Sequence, residues 1–326
     1  MKRAGVIGCG LIGRKRLAAF DHSVTLCGVF DVDDARARDC GELFDVTVFS
    51  SASELIEEVG PGGLVVVAVP NGALSDVAAQ ALQAGCHVIV EKPGSTTVEQ
   101  MQSLVHLSEA HKVVLRVGYN HRFHPAIRRL RQHFTSGRFG EIQLIRARYG
   151  HGGREGYEKE WRANAQLSGG GELVDQGSHL LDLCAMMLGG LVLDYVSLPT
   201  LYWHMQVEDN ALVAAHARTG SAVVWAHASW TEWKNLFSLE VFCKTAKLEV
   251  SGLGGSYGPE SFTLFEMESG LGIPKQTTET FVPADDSWSL EIDDVWQHIL
   301  SGAQPEGSTG HDALHVLQLI EEAYSR

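Results

Sequence analysis

The sequence predicts two layered parts in one chain (α/β plus α+β): a doubly wound parallel sheet over residues 1–119, then an open-faced, mainly antiparallel sheet with helices over residues 120–326. Three observations carry this. Short β-branched runs alternate with helix-period segments from Ala4 to Val117, the pattern of βαβ units. A glycine loop, Gly8-Cys9-Gly10-Leu11-Ile12-Gly13, follows the first of those runs. After about Tyr119 the rhythm changes to runs joined by Arg218-Thr219-Gly220-Ser221 and Lys244-Thr245-Ala246-Lys247, which read as hairpin connections and so as antiparallel pairing.

In the first part the expected strands are Ala4 to Ile7, Val24 to Phe30, a weaker one near Val46, Leu64 to Val69, His87 to Val90 and Val113 to Val117, with helices starting near Leu11, Asp33, Ala52, Gly72 and Thr97. In the second, a helix over Pro125 to His133 precedes a strand over Ile142 to Tyr149. The polar, glycine-rich stretch Gly150 to Gly171 is expected to be mostly loop, and a loop that long is usually functional. A helix over Leu173 to Leu188 leads to strands at about Val192 to Trp203, Asn210 to Ala217, Ala222 to Trp230, Phe237 to Cys243 and Leu248 to Val250. Helices over Ser289 to Leu300 and His311 to Tyr324 close the chain, the closing helix able to pack back on the first part. Gly252 to Gly258 has no βαβ unit around it and reads as a loop between strands.

A length of 326 residues suits two domains, each able to bury a core. Hydrophobic residues at 44% and charged residues at 20% are ordinary for a globular chain. The formal charge of -14 disfavours nucleic acid and anionic membrane as partners, since both need a cationic field. The basic clusters Arg14-Lys15-Arg16 and Arg128, Arg129 and Arg131 read as solvated helix faces. Six cysteines without a C-x-x-C pair suggest reduced thiols and a cytoplasmic setting. No apolar run approaches the roughly 20 residues of a membrane span, and the glycines after Met1-Lys2-Arg3 argue against a signal peptide.

The glycine loop sits between a strand and a helix, where glycines allow a tight turn and close approach to a pyrophosphate and the helix N-terminus supplies N–H donors. Gly8, Gly10, Leu11, Ile12 and Gly13 are therefore candidate cofactor residues. Asp31 ends the second strand, 18 positions past Gly13 (31 − 13), near the spacing of the carboxylate that binds a ribose. A carboxylate repels a 2′-phosphate, so NAD is favoured over NADP. Asp33 is the better N-cap of the following helix. Val69-Pro70-Asn71 forms a turn at the strand rim, where Pro70 and Asn71 would line the cofactor. Glu91-Lys92-Pro93 stops a buried strand at the same rim, placing Lys92 where substrate meets nicotinamide.

Asp175 and His179 lie four apart on one expected helical face, so the carboxylate can fix the imidazole tautomer and the imidazole can exchange a proton with a hydroxyl. The glycines Gly169-Gly170-Gly171 and Gly177 around them suit close approach of a ligand. His121 and His124 do not build a metal site, because Pro125 breaks a shared helix and no cysteine joins them. Trp230-Thr231-Glu232-Trp233 reads either as a sugar-stacking wall or as core and interface.

Together these motifs resemble the family of glucose-fructose oxidoreductase, inositol dehydrogenase and MocA-like oxidoreductases over essentially the whole chain. The resemblance rests on Gly8-x-Gly10-x-x-Gly13, Pro70-Asn71, Glu91-Lys92-Pro93, Gly118-Tyr119-Asn120-His121-Arg122-Phe123-His124-Pro125, and Gly169-Gly170-Gly171 leading to Asp175-x-x-x-His179. It implies a Rossmann NAD-binding domain followed by a substrate-binding domain whose sheet often forms an oligomer interface, as in a homodimer or homotetramer. By similarity, Lys92 bridges substrate and nicotinamide ribose, His179 is the acid/base, and Asp175 orients His179 and contacts substrate. Asn120 and His121 match substrate-binding positions, Glu91 belongs to the cofactor-side motif, and Trp161-Arg162 resembles a segment near nicotinamide. The Lys-Pro bond in such enzymes is commonly cis, aiming the lysine into the site. Leu74 departs from the histidine that many members carry after Pro-Asn.

The resulting expectation is an NAD-dependent oxidoreductase acting on a secondary alcohol or ketone of a sugar, cyclitol or sugar derivative, with Lys92, Asp175 and His179 as the catalytic set and no metal. Arg154, Lys159 and Arg162 leave room for a nucleotide sugar. The alternatives are a glycoside hydrolase that retains NAD and a non-catalytic NAD sensor on the same scaffold.

Overall fold

A computed structural model of the chain describes residues 2–268, 270, 272–282 and 285–326. It divides into two compact units, Met1–Asn120 with Trp288–Leu317, and His121–Ser287 with Gln318–Arg326.

The first unit is built on β1 (Lys2–Ile7), α1 (Leu11–Ala18), β2 (Val24–Phe30), α2 (Asp34–Phe44), α3 (Ala52–Val59), β3 (Leu64–Val67), α4 (Asn71–Gln83), β4 (His87–Glu91), α5 (Val98–His111) and β5 (Leu115–Gly118). Its strands pair in parallel in the order β2-β1-β3-β4-β5. Both faces of the sheet are covered, so β3 reads as an unbroken apolar run, Leu64-Val65-Val66-Val67, entirely without solvent. The weak strand expected near Val46 reduces to a single bridge between Val29 and Val48. Pro70 N-caps α4, so Val69-Pro70-Asn71 opens that helix directly instead of closing a longer strand.

The second unit carries α6 (Pro125–Thr135), β6 (Ile142–Gly150), the single turn α7 (Ala165–Ser168), a π-helical turn Leu173–Gly177 running into α8 (Ser178–Leu188), and β7 (Leu191–Ser197) to β13 (Lys275–Phe281). The strands between are β8 (Asn210–Ala217), β9 (Val223–Ser229), β10 (Leu236–Cys243), β11 (Ala246–Ser251) and β12 (Glu260–Glu266). The sheet order is β13-β12-β11-β10-β6-β9-β8-β7, antiparallel except for the parallel pair β6 and β9. Alternation decides its faces: Ile145, Ala147, Val224 and Ala226 are buried, while Arg146 and Trp225 look outward. The expected strand Val192 to Trp203 stops at Ser197, because the Asp209 carboxylate gathers the N–H groups of Leu201, Tyr202 and Trp203 and turns the chain. The residue pattern predicts neither β12 nor β13; β13 is Lys-Gln-Thr-Thr-Glu-Thr-Phe on the sheet edge, with no apolar alternation to reveal it.

The chain closes with α9 (Ser287–Ser301) and α10 (Gly310–Ser325). Ile292, Val295 and Trp296 of α9 pack in one core with Ala4, Val6, Val29, Leu64 and Ile89. This helix also supplies Glu291 to a buried ion cluster. Arg16 of α1, without solvent exposure, donates from Nε to Glu91 Oε1 (2.7 Å) and from Nη1 to Glu291 Oε2 (2.5 Å), and the Trp288 ring lies 4.6 Å from its guanidinium carbon. Gly118 at the end of β5 leaves room for the pair: a Cβ there would stand 2.5 Å from Arg16 Nη2.

Burial pushes the Glu291 carboxyl up to about 7, against the pull of Arg16. A folded-state value above the unfolded one means that this group's contribution is fully present below the ordinary carboxyl range and lost as pH rises towards 7. Urea unfolding at pH 5 and pH 8 should therefore show wild type losing stability relative to Glu291→Gln by up to about 1.4 kcal/mol per pH unit across that window; parallel pH dependences would refute it.

Candidate active site

In the first unit the strand order reverses between β1 and β3, and the loop after β1 sits at that switch point, where open sheets bind ligands. Gly8 has φ +101° and its backbone lies against Ala68, where a Cβ would come within 2.3 Å of the carbonyl oxygen. A Cβ on Gly13 would fall 1.8 Å from the Gly8 oxygen. These two glycines are demanded by the loop's own packing. Gly10 is different: a Cβ there would meet nothing within 4 Å. It is the N-cap of α1 and provides no side-chain cap, so the first N–H groups of α1 face an open cradle suited to an anion. Leu11 at the cradle is exposed and Ile12 half-buried.

Asp31 is buried beside this loop, accepting from Cys9 N (2.6 Å) and Asp33 N (2.8 Å). Its carboxylate is thereby fixed against the loop, while Asp33 caps α2 through Ala35 N and Arg36 N. The loop, its uncapped helix and this carboxylate fit a dinucleotide. Along the same rim stand Pro70 and Asn71 at the start of α4 and Glu91 at the end of β4. Lys92 follows, half-buried, and the Lys92-Pro93 bond is cis, as the resemblance implies.

In the second unit, the rings of His121 and His179 stack with centroids 3.7 Å apart and planes 21° from parallel. Both are buried, and Tyr149 closes on them at 5.3 and 6.2 Å. Tyr149 in turn meets Tyr257 edge-on at 4.9 Å, so the glycine-rich segment Gly252 to Gly258, a loop between β11 and β12, brings a hydroxyl that lies 3.0 Å from the Gln176 amide. Burial raises the Tyr149 hydroxyl well above its ordinary value. Asp175 lies in the π-helical turn and not in regular α-helix, and Arg162 Nε stands 3.3 Å from its Oδ2. Arg162 also lies over the Trp161 ring at 4.6 Å, so the Trp161-Arg162 segment is placed beside Asp175. Asn120 begins the short 3-10 turn that carries His121. His124 contacts Glu260 at 3.1 Å; among the described residues no group of three metal-ligating side chains occurs.

Several residues that hold these turns are given no role by the sequence motifs. Arg122 makes two bonds to Asp182 (2.7 and 2.6 Å), locking the turn of His121 to the helix of His179 across 60 residues. Glu208 accepts from Gly171 N and Leu173 N and from the Tyr324 hydroxyl, capping the turn that holds Asp175. Two glycines of the run are required by packing: a Cβ on Gly170 would stand 2.1 Å from the Tyr324 oxygen, and one on Gly171 2.2 Å from the Glu208 carbonyl oxygen. Lys92 is in the first unit, and Asp175 and His179 are in the second.

A family model described as oxidoreductase family, NAD-binding Rossmann fold, matches residues 2–119, and one described as GFO/IDH/MocA C-terminal domain matches residues 127–249. D-glucoside 3-dehydrogenase of Escherichia coli (strain K12) is 31% identical over 193 residues, 57% of this chain and 54% of that protein. UDP-N-acetylglucosamine 3-dehydrogenase of Acidithiobacillus ferrooxidans is 35% identical over 130 residues, 40% of this chain and 41% of that protein. The chain thus spans about half the length of these relatives. The WlbA dehydrogenase of Bordetella pertussis, solved with NADH and UDP-GlcNAcA, superposes with a TM-score of 0.81 over 99% of this chain and 94% of that one, at 22% identity, a likeness of fold.

The two kinds of glycine separate experimentally. Gly171→Ala should cost about 1–3 kcal/mol of unfolding free energy by overpacking, whereas Gly10→Ala should stay within about 0.5 kcal/mol while weakening dinucleotide binding. Denaturant unfolding beside cofactor titration checks both, and equal stability losses would contradict the assignment.

Proposed function

The chain belongs to the Gfo/Idh/MocA family of oxidoreductases, and on that premise we propose that it moves hydride between NAD and a secondary alcohol or ketone of a sugar or sugar derivative. The observation that supports this most is the cluster of His179, stacked on His121, with Asp175 held by Arg162 in the turn just before it. It offers a buried imidazole for proton exchange and a carboxylate with a fixed partner. The D-glucoside and nucleotide-sugar relatives point to the 3-hydroxyl of a glucose-like ring.

When bound, NAD supplies the hydride acceptor. His179 takes the proton of the reacting hydroxyl, and Asp175 orients His179 and contacts substrate. Lys92 donates a hydrogen bond to the same oxygen and stabilises its developing negative charge. Asn120 and His121 contact the sugar. Gly8, Gly10, Leu11, Ile12, Gly13, Asp31, Pro70 and Asn71 hold the dinucleotide, with Asp31 selecting NAD. Glu91, Trp161 and Arg162 complete the cofactor side, Glu91 also holding Arg16 and Arg162 also holding Asp175. Val223 and Trp225, 46% and 44% exposed on the outer face of the sheet, support a homodimer or homotetramer built on that face. The six cysteines are all free thiols, five of them buried, which suits a reducing cytoplasm.

NADH formation from methyl glucosides and UDP-N-acetylglucosamine tests the reading. His179→Ala should lower kcat about 10²- to 10⁴-fold and keep the thermal shift caused by NAD, and Lys92→Ala should lower kcat as far while weakening that shift, since Lys92 also meets the nicotinamide ribose; undiminished turnover in either would sink the assigned roles. A thermal shift with NADP and none with NAD would remove Asp31 from its role.

A further inference from the structure

An open aromatic corner stands at the end of the eight-stranded sheet where β6 and β9 finish and β8 and β10 begin. Trp233 is 63% exposed and Tyr202 56% exposed, and their rings meet edge to face at 4.7 Å. The tryptophans of this region divide sharply. Trp230 is wholly buried, and Trp203 donates to its carbonyl oxygen (3.0 Å) with its ring set against Gly153. Trp233 is left facing out.

The corner is built and held. Trp233 has φ +58°, a left-handed conformation that is unfavourable for a bulky residue and that clusters at ligand sites when the surroundings enforce it. Glu232 N donates to the His151 carbonyl oxygen, and Gly152 lets the backbone pass so near that a Cβ would stand 3.0 Å from the Trp233 Cα. The Tyr202 loop is pinned by the Asp209 carboxylate, which accepts three successive N–H groups at 2.8, 2.8 and 3.0 Å. The His151 ring of the His151-Gly152-Gly153 segment meets Tyr157 edge-on at 5.6 Å, and the charges of Asp175 and Arg162 act on it. Of the neighbouring cations, Arg148 pairs with Glu232 and Arg154 with Glu160, each at 2.6 Å, while Lys234 stands exposed next to Trp233. The two exposed aromatic rings are the surface that the corner offers a ligand. The C–H face of a pyranose meets the negative face of an indole favourably.

We propose that Trp233 and Tyr202 form a stacking subsite for a second, neutral sugar ring of the substrate, one ring removed from the ring oxidised at Asp175 and His179. This rests on the sugar-oxidising reading of the site.

The test titrates the NAD-loaded protein with cellobiose and with maltose, each against the methyl glucoside of the same anomer, by calorimetry. One disaccharide should bind about tenfold tighter than its methyl glucoside. Trp233→Gly, which removes the ring and suits the left-handed backbone, and Tyr202→Ala should each erase that advantage and leave methyl glucoside affinity within about twofold. Equal affinities in wild type, or equal weakening of both sugars in the variants, would overturn the subsite. So would a changed sedimentation coefficient with unchanged affinities, which would mark the corner as a contact with a second copy of the chain. Oxidation of a methyl glucoside that is lost in His179→Ala, with no gain for either disaccharide, would remove the corner alone. Failure of every sugar to bind would overturn the functional reading and the subsite together.

Discussion

Arg16 is the residue on which the first unit turns. A guanidinium without solvent is sustained only by partners that replace its water, and Glu91 and Glu291 do so at 2.7 and 2.5 Å. The cluster joins four elements that are far apart in sequence: the helix after the glycine loop, the strand end that precedes Lys92, the terminus of β5 at Gly118, and α9. Removing one partner of such a buried pair typically costs about 3–5 kcal/mol, because the other charge is stranded. Two carboxylates share one cation here, and burial, with a smaller push from Glu91, raises Glu291 to about 7. The glycine loop and the Lys92 turn are thus coupled through charge as well as through sheet hydrogen bonds.

The second unit repeats the logic with different residues. Asp175 and His179 sit on a helical segment whose start is capped by Glu208 and Tyr324 and whose first turns are tied to the His121 turn by Arg122 and Asp182. The charges that fix geometry, Asp182 and Glu208, are buried; Asp175 keeps about a quarter of its side chain exposed. The Asp175 carboxylate keeps solvent access, and the groups that hold its turn are enclosed.

Much of this was legible in the chain because the signals are local. Strand β2 and strand β8 fall on the expected residues, since β-branched runs and turn residues act within a few positions. Asp33 as a cap and Asp31 beside the glycine loop follow from spacing alone. What escaped depends on distant partners. β13 has no apolar pattern and exists through pairing with β12. The π-helical turn at Asp175 broke the expected regular helix. Gly170 and Gly171 also answer to packing that spacing does not reveal, against Tyr324 and Glu208, which lie 153 and 37 residues from Gly171. The stretch with two tryptophans proved to be both core and exposed surface, divided between Trp230 and Trp233.

By itself the sequence determined the fold class, the dinucleotide loop, the acidic residue at the second strand and the Lys92 and Asp175/His179 motifs, because each is encoded by residue type and short spacing. Only the tertiary structure decided which glycines serve packing and which leaves an open cradle, which charges are enclosed as struts, and which aromatic rings face out. The physical reason is that burial and electrostatic partnership are properties of neighbours in space. Arg16 and Glu291 are 275 residues apart, and no local pattern of either predicts that they will share a proton-sensitive contact in the core.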